Sequence, residues 1–484
     1  MEPSELDGQQ LSPSDITGVG RPWLAGRGFV LGLLVVAILS LGVRFGVYWA
    51  AGPVDLTGDE VRYVRAAKQV RQGDGYGVGG TRDARWPPAH SFFLSLFLTE
   101  SPSSAPDFRS LDSRSLIGPQ LALGALLAVL TALLGHVLFD SKTALLAGLL
   151  AALYPTFVGY SHYLWSETLL LVLSTAALTL AIRAARNGRL LEAVLAGLLF
   201  GAAGLTREIA LLLAVGMAIW WIVTVPRIDR RRATARALLM LACAGIVILP
   251  WTARNFRLLD RFVPVSTVFW MGMREGNTLQ GENWLRPDRQ QLTSFRAQMA
   301  SFSDERRGVE FARGEALELI QAEQPTWIFK KLVRNSALLF SPDSFVFKKV
   351  SRGCYGEPAL WAVRLVLVSA LLAYLGIVVA GLFGIATSPD LARRLLPALV
   401  LGIIAVVHIL AQASSRYRLP LMPLLMVYAA AWATAGFPLR RLSRRSLVAC
   451  LLCLAILLGW CLPYFWNDAL ALWGSGTYSD PWRP

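Results

Sequence analysis

The sequence predicts an all-α, polytopic membrane protein with about eleven spanning helices and two large loops on one side of the membrane. Of its 484 residues, 55% are hydrophobic and only 16% are charged, whereas soluble domains carry about 25% charged residues. The apolar residues are also clustered, since residues 115–139 contain no Asp, Glu, Lys or Arg. Such a run can cross a hydrocarbon core of about 30 Å as a helix, the conformation that satisfies its own backbone hydrogen bonds in lipid.

The chain begins with a polar segment, residues 1–26, which we interpret as a disordered cytoplasmic tail. The first apolar run is too long for a typical signal peptide and the tail is too acidic, so we expect an uncleaved first span. The predicted spans cover residues 28–51, 115–139, 142–161, 164–185, 189–206, 208–226, 236–253, 359–386, 394–413, 417–437 and 445–463.

The short basic connections between these spans fall on one side of the predicted membrane. They contain Lys142, residues 183–189 and 227–236, the pair Arg393 and Arg394, and residues 440–445. Because cytoplasmic loops are enriched in Lys and Arg, this side and the N-terminus are predicted to be cytoplasmic. The same bias explains the formal net charge of +15 without a nucleic-acid partner.

Two long segments then lie outside the cell, since long loops cross the membrane regardless of their own charges. The predicted organisation is a transmembrane module at 27–253 that includes the first outer loop at 52–114, a second outer loop at 254–358, C-terminal helices at 359–466 and an outer tail at 467–484. Both loops contain helix-like pieces, which we expect to lie at the membrane interface.

The first outer loop opens with an acidic pair in the stretch "TGDEVRY". Thr57 and Glu60 fit a capping box, and acids in a first helical turn suit the helix dipole, so Asp59 and Glu60 have a structural explanation beside a chemical one. The helix that follows is amphipathic with Arg or Lys at every third position. It suits either an interfacial helix facing lipid phosphates or a packed helix with a solvated basic face.

Charged residues gather at the outer ends of the predicted spans, where the positive-inside rule disfavours arginine. A buried anionic ligand at the outer leaflet would explain them; headgroup anchors and loop salt bridges are the alternatives. Arg44 and Arg364 could snorkel to the same level. The gathered residues are Asp59, Glu60, Glu167, Arg207, Glu208, Arg254, Arg416 and Arg418.

The first-loop pattern, "GDEVRY" followed by a glycine turn and "PP" before an apolar helix, resembles the protein O-mannosyltransferase superfamily. Similar pieces follow in the family's order: "YPTFVGYSHYLWSE", "GLTRE", "LPWTARNFRLLDRFVPVST" and "SSRYRLPLMPLL". The resemblance covers about residues 28–437 and is strongest to bacterial dolichyl-phosphate-mannose-protein mannosyltransferase-like enzymes and aminoarabinose lipid A transferases. The sequence departs from the family at Glu208, where Pro is frequent, and at Ala89, where Gly is common.

This resemblance implies the GT-C fold and an inverting sugar transfer from a polyprenyl-phosphate donor. The acceptor would be a lipid, protein or polysaccharide hydroxyl at the extracytoplasmic face of a bacterial plasma membrane. It also implies that Asp59 holds the catalytic acid position with Glu60 beside it. Glu167 would match a second acid, and Arg207, Arg254 and Arg416 would match the donor phosphate or the cavity wall.

The reaction explains why these residue types are needed. An acceptor hydroxyl is a poor nucleophile, so Asp59 is expected to remove its proton while Glu60 or Glu167 orients hydroxyls. The leaving phosphate gains negative charge, which the bidentate guanidinium groups of the three arginines, and then of Arg418, would stabilise. A divalent cation such as Mg²⁺ or Mn²⁺, held by the acidic pair and phosphate, could supply part of that charge.

Other functions remain open at this stage. A multi-pass transporter or flippase of a lipid-linked saccharide would be expected to show repeated halves and ionisable residues near the bilayer midplane, and neither is evident. A non-catalytic envelope scaffold is a further alternative. An O-antigen ligase or polymerase would concentrate arginines in one late outer loop and lack the acidic pair after span one.

Overall fold

The all-α prediction is confirmed by a computed structural model, which describes residues 26–52, 56–78, 80–99, 113–279, 285, 288–351, 353–355 and 358–476. Most of the predicted cytoplasmic tail and the end of the outer tail lie outside the described residues. Apart from one short two-stranded ribbon, the regular elements of the described part are helices.

The helices predicted to span the membrane have the following bounds. They are α1 (Gly26–Ala51), α4 (Ser113–Leu138), α5 (Ser141–Leu153), α7 (Glu167–Asn187), α8 (Leu190–Gly204), α9 (Ile209–Thr224), α10 (Arg230–Leu259), α16 (Leu360–Ala386), α17 (Leu391–Leu410), α18 (Met422–Thr434) and α19 (Arg444–Ile456). A further helix, α20 (Leu462–Ser475), lies almost entirely beyond the last predicted span. A short π-helix, Leu457–Cys461, joins α19 to α20. The last helical segment therefore continues to Ser475, beyond its predicted end at residue 463.

Among the described residues, seven helical segments are long and apolar enough to cross a membrane. The helices α5, α8, α9 and α18 have between 13 and 16 residues. Helix α5 is short because Pro155 starts a separate helix, α6 (Pro155–Tyr160), inside the predicted third span. The predicted count of about eleven spans therefore stays a prediction.

The transmembrane helices pack closely through small residues. Helix α4 packs against α1, α5 and α7, while α8 lies between α7 and α10, and α16 pairs with α18. A Cβ atom on Gly197 would come within 2.2 Å of the Met240 carbonyl oxygen on α10. Glycine is thus required where α8 and α10 touch, because this backbone approach leaves no room for a side chain.

The two loops predicted to lie outside the cell, called the first and second outer loop, add a second layer of short helices. The first loop contains α2 (Asp59–Arg71), the ribbon strands β1 (Gly77–Val78) and β2 (Thr81–Arg82), and α3 (Ala89–Ser95). The second contains α11 (Val268–Gly276), α12 (Arg289–Ser301), α13 (Glu305–Ala322), α14 (Trp327–Phe340) and α15 (Phe345–Ser351).

The two loop-1 helices differ in what covers their apolar sides. On α2, Val64 and Ala67 are fully buried and pack in one cluster with Leu94 of α3 and Leu116 of α4. The apolar side of α2 is therefore covered by protein, which favours the packed-helix alternative for this element. Phe92 of α3 is exposed, as are Leu96 and Phe97 directly after the helix, a pattern expected of an interfacial segment.

Helix α14 buries polar side chains and exposes apolar ones, the reverse of the pattern on a surface helix of a soluble protein. Its polar residues Lys331 and Asn335 are fully buried, whereas Ile328, Phe329 and Leu332 are between 43 and 63% exposed. The buried amino group of Lys331 donates to the carbonyls of residues 276 and 411 at 2.7 and 2.6 Å. This outward apolar row is typical of a helix that faces lipid.

The expectation that Arg44 snorkels to the membrane surface is wrong. Its side chain is completely buried, and the guanidinium donates to Ser161 Oγ at 3.0 Å and to the Ala152 carbonyl at 3.0 Å. The last carbonyls of a helix have no partner within it. Arg44 supplies that partner at the end of α5.

Candidate active site

Four chain segments that leave the apolar helices on one side meet at a single cluster. Asp59 is the first residue of α2, and Glu167 is the first residue of α7. Arg207 lies between α8 and α9, and Arg416 lies in a 3₁₀-helix, Ser415–Leu421, that follows α17. The structure therefore brings together four of the seven predicted site residues, from distant parts of the sequence.

The four side chains form an alternating chain of opposite charges. Arg416 Nη1 lies 3.1 Å from Asp59 Oδ2 and 3.7 Å from Glu167 Oε1. On its other side, Glu167 Oε1 lies 2.6 Å from Arg207 Nη2. The Glu167 side chain is 3% exposed and that of Asp59 is 26% exposed. Asp59 is thus the carboxylate that remains accessible.

Residues missed in the sequence hold this cluster in place. Ser166 Oγ accepts hydrogen bonds from Arg207 Nε and from the Tyr63 hydroxyl, both at 3.1 Å. The Tyr417 ring lies beneath both guanidinium groups, and His408 stacks on it with ring centroids 4.2 Å apart. Three of these residues stand within motifs already singled out, so their adjacency to charged residues was the available signal.

Several buried polar atoms around the cluster have no hydrogen-bond partner among the described residues. They include Glu167 Oε2, Arg416 Nε, Trp165 Nε1 and Ser415 Oγ. A buried polar atom without a partner costs about 1–3 kcal/mol. Convergence of such atoms beside paired acids and arginines is typical of a site that binds a polar ligand.

Glu60 is turned away from this cluster. It is 1% exposed, forms a salt bridge with Lys349 of α15, and accepts backbone hydrogen bonds from Thr57 at 2.9 Å and Leu164 at 3.1 Å. The predicted bond from Glu60 back to the Thr57 N–H is confirmed, whereas the N-cap position is occupied by Gly58 instead of Thr57 and no described side chain caps the helix there. Nothing near Asp59 in sequence points to Lys349, which lies about 290 residues away.

The acidic pair does not fit the suggested Mg²⁺ or Mn²⁺ site. Both Glu60 oxygens already accept hydrogen bonds, and Asp59 faces Arg416 instead of its neighbour. In the described part of the chain, no group of three His, Cys, Asp or Glu side chains could hold a metal ion. The cationic charge beside Asp59 comes from arginine.

Two of the four predicted phosphate-binding arginines lie outside the cluster. Arg254 donates to the carbonyls of Asp83 and Tyr76, at 2.7 and 2.8 Å, and stacks over Trp251. It thereby fastens the first outer loop to the end of α10. The structure does not bring Arg254 into contact with Asp59.

Arg418 is also occupied by backbone groups. It is 4% exposed and donates to the carbonyls of Leu339 at 2.8 Å and Asp343 at 3.0 Å. Its guanidinium covers the Tyr374 ring. Arg418 therefore caps the end of α14, while Glu208 accepts two hydrogen bonds from Ser266.

His90 is a fully buried neighbour of the cluster, on α3. Its ring contacts Tyr63 edge-on, and Nε2 lies 3.0 Å from the Leu164 carbonyl oxygen, to which the neutral ring donates. Burial lowers the pKa of His90 to about 4, with a smaller contribution from the charge of Arg207. The ring is therefore uncharged at neutral pH.

This burial predicts an acid-sensitive fold. Because the folded pKa is lowered from 6.5 to about 4, the unfolded chain binds the proton first, and stability is lost as pH falls below 6.5. Between pH 7 and pH 5 the loss at this residue is expected to be about 2 kcal/mol. Thermal unfolding midpoints in detergent should fall less over this range for His90→Phe than for wild type. Equal falls would contradict the assignment.

Comparisons with known proteins agree with this architecture. Residues 87–253 match the family model described as dolichyl-phosphate-mannose-protein mannosyltransferase. No curated protein sequence matches the chain significantly. The matched segment includes Glu167 and Arg207, whereas Asp59 and Arg416 lie outside it.

Solved structures match over nearly the whole chain. The oligosaccharyltransferase AglB from Archaeoglobus fulgidus, in complex with an inhibitory peptide and a dolichol-phosphate, is 16% identical with a TM-score of 0.51, covering 93% of this chain and 56% of its own. ArnT from Cupriavidus metallidurans bound to undecaprenyl phosphate is 15% identical with a TM-score of 0.50, covering 92% of this chain and 64% of its own.

The chain thus spans little more than half the length of AglB and under two thirds of ArnT. At these identities the matches establish the fold. The fold and the family match together confirm the resemblance of the chain to the GT-C glycosyltransferases of the protein O-mannosyltransferase and aminoarabinose transferase-like superfamily.

Proposed function

We propose that the protein is a glycosyltransferase that moves a sugar from a polyprenyl-phosphate donor to an acceptor hydroxyl at the extracytoplasmic face of a bacterial plasma membrane. The observation that carries this proposal is the position of Arg416, which contacts Asp59 at 3.1 Å and Glu167 at 3.7 Å beside Arg207. The solved AglB and ArnT complexes with dolichol-phosphate and undecaprenyl phosphate support a lipid-phosphate donor.

Arg416 and Arg207 bind the donor phosphate in this proposal. Their charges are balanced by Asp59 and Glu167 before the donor arrives, so the cluster is close to neutral. A phosphate that pairs with Arg416 takes the place of Asp59 as its partner. Donor binding thereby releases the Asp59 carboxylate, while buried Glu167 keeps both guanidinium groups in position.

The released Asp59 carboxylate then acts as general base. It removes the proton of the acceptor hydroxyl as the oxygen attacks the anomeric carbon, and the phosphate leaves with the bonding electrons. The two arginines stabilise the charge that develops on the phosphate. A single displacement of this kind inverts the anomeric configuration. Glu60, Arg254 and Arg418 act as positioning residues, because Glu60 is paired with Lys349 and the guanidinium groups of both arginines donate to backbone carbonyls.

The proposal is tested with purified full-length protein in liposomes. The protein is given a panel of polyprenyl-phosphate-linked hexoses and pentoses together with an envelope fraction as acceptor, and released polyprenyl phosphate is measured. Acceptor-dependent release is expected with at least one donor. Movement of the lipid-linked sugar across the bilayer without release would instead identify a flippase and contradict the transferase.

Arg416→Gln is expected to lower kcat/KM for transfer by about 10²–10³-fold, the usual effect of removing one charge-stabilising donor. The variant should fold, because Glu167 keeps its salt bridge to Arg207. Arg261→Gln is the matched control, since Arg261 is 51% exposed on the second outer loop. Transfer by Arg416→Gln at the wild-type rate would remove Arg416 from the phosphate site.

A further inference from the structure

The second outer loop contains a polar cavity that the proposed reaction does not use. Helices α11, α12 and α13 pack around an apolar cluster that includes Phe295, Met299 and Ala312. Beside this cluster they border a partly open cavity of about 300 Å³, lined by residues of all three helices. Its volume lies at the lower end of the range for small-molecule sites.

Arg274 is the residue that marks the cavity as a binding site. Its side chain is 6% exposed, stacks over the Phe295 ring at 4.7 Å, and donates through Nη2 to Glu315 at 3.2 Å. Its Nε and Nη1 atoms are buried and have no hydrogen-bond partner among the described residues. Leaving such donors unsatisfied is costly, so a ligand that accepts from them gains free energy.

The described charges around the cavity are mixed and do not favour a simple anion. Asp288 and Glu315 line the cavity together with Arg274, so the described ionisable residues of the lining carry both signs of charge. A phosphate or carboxylate ligand would be repelled by these acids. A cation would be attracted by the two acids but repelled by the guanidinium group of Arg274, so the described lining favours neither sign of charge.

Apart from Phe295, the remaining described lining residues can both donate and accept hydrogen bonds. Gln290, Gln291 and Gln298 carry amides, and Ser294 carries a hydroxyl. A ligand that matches this mixture must itself offer many groups that both donate and accept. Sugar hydroxyls have this property, and a cavity of about 300 Å³ accommodates one or two sugar rings.

Hydrogen bonds connect the helices around the cavity to the segment that carries Arg416 of the Asp59 cluster. Glu275, the neighbour of Arg274, accepts a hydrogen bond from Gln412 at 3.0 Å and pairs with Arg296 of α12 at 2.8 Å. Gln412 lies in the segment that leads directly to Arg416. A molecule bound in the cavity would therefore contact helices α11 and α12, which are hydrogen-bonded to the segment that leads to Arg416.

We propose that this cavity binds uncharged sugar units of a glycan acceptor. The saccharide binding stands independently, whereas its role in presenting an acceptor hydroxyl rests on the proposed transferase function. The acceptor would accordingly be a glycan, either free or attached to lipid, and its recognition would not require the donor phosphate.

The test measures saccharide binding by saturation-transfer NMR, with full-length protein in a detergent without a sugar headgroup. The probes are mannose, galactose, glucose, arabinose and N-acetylglucosamine, each as monomer and short oligomer, with glucuronic acid as the charged comparison. Ser294→Trp fills the cavity from the exposed side of α12. Thr293→Trp is the matched control, because Thr293 is also exposed on α12 and does not line the cavity.

Wild type and Thr293→Trp are expected to bind at least one neutral probe, and Ser294→Trp at least 10-fold more weakly. Asp59→Asn should bind that probe like wild type, which separates this inference from the transferase proposal. Absence of binding by every neutral probe, equal binding by the two Trp variants, or tighter binding of glucuronic acid than of glucose would overturn the inference.

Discussion

Asp59→Asn is expected to lower the rate of sugar transfer by about 10²–10⁴-fold, the range that general-base catalysis contributes. Asparagine has the same shape as aspartate and retains an oxygen that can accept from Arg416, which lies 3.1 Å from the Asp59 carboxylate. It cannot take a proton from an acceptor hydroxyl. The loss should therefore appear in kcat, with donor affinity changed much less.

The measurement compares single-turnover transfer and donor binding for wild type and Asp59→Asn. Asp74→Asn is the control, because Asp74 is an exposed acid just beyond the other end of α2. If Asp59→Asn transfers at the wild-type rate, Asp59 is not the base. A loss confined to donor affinity would assign Asp59 to binding instead.

Lys349→Met is expected to have the largest effect on stability. The salt bridge between Lys349 and Glu60 is almost completely buried, with 2% and 1% of the two side chains exposed. Removing the ammonium group leaves the Glu60 carboxylate without its countercharge in the protein interior, which typically costs about 3–5 kcal/mol. The turn that presents Asp59 would loosen, so transfer should fall as well.

A second variant separates the unpaired charge from the loss of packing. In Glu60→Gln/Lys349→Met no buried charge remains, so most of the lost stability is expected to return. Unfolding midpoints in detergent would be compared with those of Lys68→Met, a control at an exposed site on α2. Equal destabilisation of the single and double variants would show that the buried charge is not the cause.

The fold could be predicted largely from apolar run lengths and the positions of basic loops. Each predicted span contains a helix, because a long apolar run in lipid has no other way to satisfy its backbone. The short lengths of α5, α8 and α9 were harder to predict than the presence of a helix in each span. They depend on local breaks such as Pro155 and on which helices cover each other.

The cluster was predicted in part because its members stand at helix ends. Asp59, Glu167, Arg207 and Arg416 each adjoin an apolar segment, so a shared membrane face places them at one level. Their direct contacts then follow from helix packing. The position of Arg254 near a helix end likewise predicts its depth relative to the membrane. It does not predict its hydrogen-bond partners, which are backbone carbonyls of the first outer loop.

Other features required tertiary contacts that no local pattern encodes. The Glu60 capping bond was visible in "TGDE", whereas its salt-bridge partner Lys349 lies in another loop. The periodicity of α2 shows an apolar side but does not distinguish lipid from the protein surface that covers Val64 and Ala67. In both cases the environment of the residue is set by segments that are distant in the sequence.

The buried polar side of α14 also constrains the order of biogenesis. Lys331 and Asn335 complete their hydrogen bonds on the carbonyls of residues 411 and 409, which are synthesised about 75 to 80 residues later. Until those residues are synthesised, both side chains lack these partners, so α14 cannot reach its final packing. The position of α14 is therefore expected to become fixed only after α17 has formed.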